Sequence, residues 1–138
     1  MNFKLQYGED FDENYLKRIM EIDEIVYAED GYVGELKNMV ARYLVDPRQF
    51  VCIEDTESGR LAGYINFIPC TKALYEDIRY QSEHIRDDDI RPQELEPLKQ
   101  TGNDLFIISI ALHPDFKDTD AIKDLSNGWI DYLNRLET

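Results

Sequence analysis

At 138 residues the chain has the length of one domain, and a domain of that size buries about 68 to 70% of its unfolded surface, so it needs no staple to fold. With 29 acidic against 15 basic side chains the net charge is −14, which opposes phosphate backbones and anionic lipid surfaces and excludes plain nucleic-acid or membrane partners. The excess of acid is expected on the surface, where it favours solubility or a cationic partner.

The longest apolar run, Leu105 to Leu112, is far shorter than a bilayer span and contains Ser109. Met1 to Gln6 has no basic stretch followed by a long apolar region, so no secretory signal is expected. Cys52 and Cys70 sit in apolar stretches and form no CxxC pair. They are expected as buried, reduced thiols in a cytoplasmic protein. A hydrophobic content of 43%, with six Phe and nine Tyr, predicts an ordered fold.

Phe3 to Tyr7 alternate apolar and polar residues and stop at Gly8, the pattern of a short half-buried strand. From Asp12 the period changes: Tyr15, Leu16, Ile19, Met20, Ile22, Ile25 and Val26 recur at three- and four-residue spacing, which predicts an amphipathic helix with Asp12 as its N-cap. Ala28 to Gly34 reads as a loop. A second helix carries Leu36, Met39, Val40, Tyr43 and Leu44 on one face, and Asp46-Pro47 ends it.

Gln49 to Glu54 and Leu61 to Ile68 are rich in β-branched and aromatic residues around the turn sequence Asp55 to Arg60, so they are expected to form an antiparallel hairpin. Residues 69–104 form a long connector with one or two short helices. Leu105 to Leu112 is apolar on both faces, as in a strand at the centre of a covered sheet. His113-Pro114-Asp115-Phe116 stops it, and a helix from about Thr119 to Leu136 buries Ile122, Leu125, Trp129, Leu133 and Leu136.

No Gly-x-Ser-x-Gly elbow, Walker loop or HExxH motif is present, and neither His84 nor His113 lies at a metal-ligand spacing. His113 reads as a strand cap, with a general base as the sharper alternative. The run Asp87-Asp88-Asp89 reads as a solvated loop, since it lacks the alternating ligands and Gly of a calcium loop. No metal is expected.

The element order, with the apolar strand, the His-Pro turn and the terminal helix, resembles the GNAT acetyltransferases. Ile107-Ile108-Ser109-Ile110-Ala111-Leu112-His113-Pro114-Asp115-Phe116-Lys117 is similar to that family's fourth strand and the turn into its acetyl-CoA-binding helix. Arg60-Leu61-Ala62-Gly63-Tyr64-Ile65 is similar to the start of its third strand. The resemblance implies an α/β fold with a mixed sheet and helices on both faces. It implies acetyl-CoA along Ile110, Ala111 and Leu112, with its phosphates at Lys117, Asp118, Thr119, Asp120, Ala121 and Ile122. Tyr27, Glu29, Asp30 and Tyr32 would shape the acceptor site.

Two departures from the family pattern bear on function. Asp120 and Ile122 occupy positions where the family's phosphate loop has Gly or another small residue, and Asp118 adds a second carboxylate facing an anion. The family fold also continues past this helix with further strands, so the chain is expected to lack the C-terminal strands and to pair with a second copy or a missing C-terminal half. The resemblance implies the N-terminal portion of an N-acetyltransferase acting on a primary amine. The alternative is a non-catalytic acidic module that binds a basic protein. The residues name no catalytic acid or base.

Overall fold

The computed structural model describes residues 2–27, 34–81 and 90–136. β1 (Phe3–Tyr7) points Phe3, Leu5 and Tyr7 toward one core. α1 (Glu13–Tyr27) follows, and Asp12 caps it as expected, its Oδ1 accepting the Tyr15 amide at 2.9 Å. α2 (Leu36–Tyr43) lies beside α1, and β2 (Phe50–Asp55) and β3 (Leu61–Pro69) form the expected hairpin. The connector holds α3 (Lys72–Gln81) and a 3₁₀ turn at Pro92–Glu94. β4 (Leu105–Leu112), a 3₁₀ turn at Pro114–Phe116 and α4 (Ala121–Leu136) complete the order.

The strands pair in the order β1-β2-β3-β4, antiparallel throughout. The architecture is thus the expected α/β sheet with helices on both faces, but no parallel pair exists among the described residues, which corrects the expectation of a mixed sheet. Among the described strands β4 also lies at one end of the sheet rather than at its centre. Among the described residues it pairs only with β3, although Leu105, Ile107 and Leu112 pack toward α4 and Phe106 and Ile108 toward α3. An apolar run on both faces reports cover above and below a strand and carries no information about its two edges.

Helices α1 and α2 cover one face through Leu16, Ile19, Ile22, Met39 and Tyr43, which meet Phe50, Cys52, Tyr64 and Ala111. α4 covers the other through Leu125 and Tyr132 against Val51, Ile53, Ile65 and Phe67. Each fully buried large side chain, such as Leu16, Phe50 or Phe67, contributes about 1.5 to 3 kcal/mol over its exposed state. Gly63 lets β3 and β4 approach closely: a Cβ there would stand 2.7 Å from the Ala111 carbonyl oxygen.

Candidate functional site

The register between β3 and β4 contains one irregularity. Asn66 faces Ser109 and Phe67 faces Ile107, so Ile108 is an extra residue, a β-bulge in β4. The bulge breaks the alternation of faces. Ile108 packs with the α3 cluster while its neighbour Ser109 turns its hydroxyl toward α1, on the same side of the sheet.

Beyond the bulge the His113 amide donates to the Ala62 carbonyl at 2.7 Å. Antiparallel alternation then directs the backbone groups of Ala111 and Ser109 to β3, and those of Leu112 and Ile110 to the other edge. The Ile110 carbonyl confirms this direction: it accepts the Tyr27 hydroxyl, from the last residue of α1, at 3.1 Å.

A connected set of polar groups lies behind that edge. The Tyr64 hydroxyl donates to Asp23 Oδ1 at 2.7 Å and lies 3.0 Å from Ser109 Oγ, which is 3.2 Å from the Tyr27 hydroxyl. Asp23, Tyr64 and Ser109 are 7%, 1% and 8% exposed, and Tyr27 is half-buried. Burial, followed by the field of the Asp23 carboxylate, pushes the Tyr64 phenol well above its ordinary value. Tyr64 therefore acts here as a neutral hydroxyl.

Tyr27 and Ile110 are thus brought together, one an expected acceptor-site residue and the other an expected donor-site residue. Glu29, Asp30 and Tyr32 lie outside the described residues, as do His84 and the run Asp87 to Asp89. Ala111 and Leu112 bury their side chains toward opposite cores, which leaves Leu112 its backbone for any contact at the edge, and only Ile110 of the three is exposed, at 44%. Ile122 is 40% exposed at the start of α4, rather than buried as its helical spacing suggested.

The turn before α4 exposes Lys117, Asp118 and Asp120, while Ala121 is fully buried. Thr119 braces that turn: Oγ1 donates to the Phe116 carbonyl at 2.6 Å and accepts the Ala121 amide at 3.2 Å. That amide is accordingly engaged, and one lysine stands among two carboxylates.

His113 has the capping role. Its Nδ1 accepts the Asp115 amide at 3.0 Å, and Asp115 in turn receives the Arg60 guanidinium at 2.8 Å, which holds its carboxyl below the ordinary range. The ring borders an open cleft of about 350 Å³ with Arg18, Glu21, Ile25 and Arg60. Burial raises both cysteine thiols, Cys70 to about 12, so neither is a ready nucleophile. Among the described residues no three His, Cys, Asp or Glu side chains cluster to hold a metal, and no helix is long and apolar enough to cross a membrane.

Asp23, Tyr64 and Ser109 are the members of this arrangement that sequence reading missed. Their signal was present. Asp23 falls four residues after Ile19 and three after Met20, on the apolar face of α1, and Ser109 interrupts an otherwise apolar strand.

No protein-family model matches the sequence, and no curated protein matches it by sequence. Solved structures do match. The loading GNATL domain of CurA from Lyngbya majuscula superposes with a TM-score of 0.65 at 10% identity, over 96% of this chain and 58% of that one. The GphF GNAT-like decarboxylase in complex with isobutyryl-CoA gives 0.65 at 10% identity, over 94% and 58%. A mosquito arylalkylamine N-acetyltransferase like 5b gives 0.63 at 14% identity, over 98% and 72%. The chain spans 58% of the length of each of the first two. Strand order, helix placement and these superpositions agree, and the chain has the GNAT fold.

Proposed function

We propose that the chain carries the acyl-donor side of an acyl-CoA-dependent N-acyltransferase, with acetyl-CoA as donor and a primary amine as acceptor. The observation that carries this reading is the bulged β4, whose edge away from β3 is unpaired among the described residues and at Ile110 adjoins the Tyr27 hydroxyl. An unpaired strand edge offers alternating amides and carbonyls at the spacing of an extended, amide-bearing arm, such as the pantetheine of acetyl-CoA. Ile110 and Leu112 supply those groups, and the exposed Ile110 side chain supplies apolar contact. The likeness to a structure holding isobutyryl-CoA supports an acyl-CoA ligand.

The phosphate end of the donor is served poorly. Lys117 offers a cation, Asp118 and Asp120 oppose the diphosphate, and Thr119 already occupies the Ala121 amide. Donor affinity is therefore weaker than micromolar. The same turn favours a second reading, a non-catalytic acidic module for a basic protein.

Calorimetric titration of acetyl-CoA, with thiol release measured beside it in the presence of n-butylamine or 2-phenylethylamine, tests the choice. Weak binding with release is expected. No heat and no release with either amine would overturn the acyltransfer reading and favour the module.

A further inference from the structure

We propose that Tyr27, Ser109, Tyr64 and Asp23 form a relay that takes the proton of the acceptor amine inward from the β4 edge, an assignment that rests on the acyltransfer reading above. Its direction is fixed at the inner end. An ionised carboxylate only accepts, so the 2.7 Å bond to Asp23 Oδ1 is donated by Tyr64. The Tyr64 oxygen then receives the Ser109 hydroxyl at 3.0 Å, and Ser109 Oγ is left to receive the Tyr27 proton at 3.2 Å, shared with the Ile110 carbonyl at 3.1 Å. Tyr64 and Ser109 thus point inward, Tyr27 divides its one proton between Ser109 Oγ and the Ile110 carbonyl, and Tyr27 Oη keeps a lone pair for a donor arriving at Ile110.

Burial argues that this arrangement does more than fill space. Asp23 lies on the apolar face of α1 among Leu16, Ile19 and Ile22, where a carboxylate is costly and an aliphatic side chain would pack without penalty. The bulge at Ile108 is what turns Ser109 into the gap between the two tyrosines. Three elements, α1, β3 and β4, converge on one line of oxygens that ends beside the open strand edge.

In the reaction the amine nitrogen forms a bond to the thioester carbon, and the carbon–sulfur bond breaks with its electron pair leaving on sulfur. The proton released by nitrogen passes to Tyr27 Oη while Tyr27, Ser109 and Tyr64 each hand one inward, so Asp23 ends protonated and returns its proton to solvent. The thiolate takes up a proton from water. Tyr27 is the catalytic residue in this scheme, and Ser109, Tyr64 and Asp23 act through it.

The test uses the full chain, acetyl-CoA, and n-butylamine or 2-phenylethylamine as acceptor probe, with thiol release followed continuously. Ser109→Ala and Tyr27→Phe each interrupt the line, and Tyr27, half-buried at the end of α1, can lose its hydroxyl without opening the core. Both variants should lower kcat about 100-fold or more, the range of a lost general base, with the KM for acetyl-CoA unchanged. Ser109→Thr keeps the hydroxyl and should restore most of the rate. Equal rates for Ser109→Ala and Ser109→Thr, or an unchanged kcat in Tyr27→Phe, would overturn the relay while leaving the acyltransfer reading in place. Absence of thiol release from the unaltered chain would overturn both.

Discussion

The closeness of β3 and β4 at Gly63 can be tested by adding one methyl group. In Gly63→Ala the new Cβ would lie 2.7 Å from the Ala111 carbonyl oxygen and 3.0 Å from Leu112 Cδ1, against 3.4–4 Å for ordinary contact. The Leu112 side chain can rotate away. The Ala111 oxygen belongs to the paired backbone, so β3 and β4 must separate by several tenths of an ångström. Overpacking of this kind costs about 1 to 3 kcal/mol, offset by about 0.4 to 1 kcal/mol from the stiffer unfolded chain. A net loss of about 1.5 kcal/mol corresponds to a fall in Tm of roughly 4 to 9 °C for a domain of this size. Thermal and urea unfolding read it directly. Gly59→Ala is the comparison, because Gly59 has φ +72° and open space around it and so reports backbone strain without a clash. A Gly63→Ala variant as stable as the original chain would refute the close approach of the two strands, and with it the register that sets Ser109 beside Tyr64.

Two further outcomes follow from charged groups. Burial alone would raise the Asp46 carboxyl, but bonds from the Arg48 side chain at 2.7 and 2.9 Å, from the Arg48 amide at 3.0 Å and from the Leu98 amide at 2.8 Å outweigh it and hold the carboxyl below its ordinary value. A depressed folded-state value stabilises the fold above the unfolded value near 3.9, and that contribution is lost as pH falls through the lower, folded value. Urea midpoints should therefore fall more steeply below about pH 4 in the original chain than in Asp46→Asn; parallel curves would contradict the assignment. At the turn before α4, Asp120→Gly with Ile122→Gly should tighten acetyl-CoA binding in calorimetry, at roughly 1 kcal/mol of helix stability for each Gly. Unchanged affinity would show that access to the phosphates is not what limits binding.

The elements were legible because their periods are local. The three- and four-residue spacing from Tyr15 to Val26 marks α1, Asp12 marks its start, and Asp55 to Arg60 marks the hairpin turn. The position of β4 was not legible. Its continuous apolar run reports two covered faces, whereas its place at one end of the described sheet depends on partners far away in sequence. The bulge at Ile108 was hidden for the same reason, since a register shift is a property of two strands. The polar line behind the edge was half legible: Tyr27 stood out beside an acidic loop, while Asp23 was passed over as one more acid in a chain with 29. Its position on the apolar side of α1 was the distinguishing mark.

The central claim is that acyl-CoA lies along the edge of β4 away from β3, and amide chemical shifts of the full chain during titration with acetyl-CoA test it most directly. The account predicts progressive shifts at Ile110 and Leu112, whose amides face that edge, accompanied by Ser109 and Tyr27 and weaker changes at Lys117. Shifts confined to Arg18, Arg60 and His113 around the cleft on the α1 side, with Ile110 and Leu112 unmoved, would contradict it.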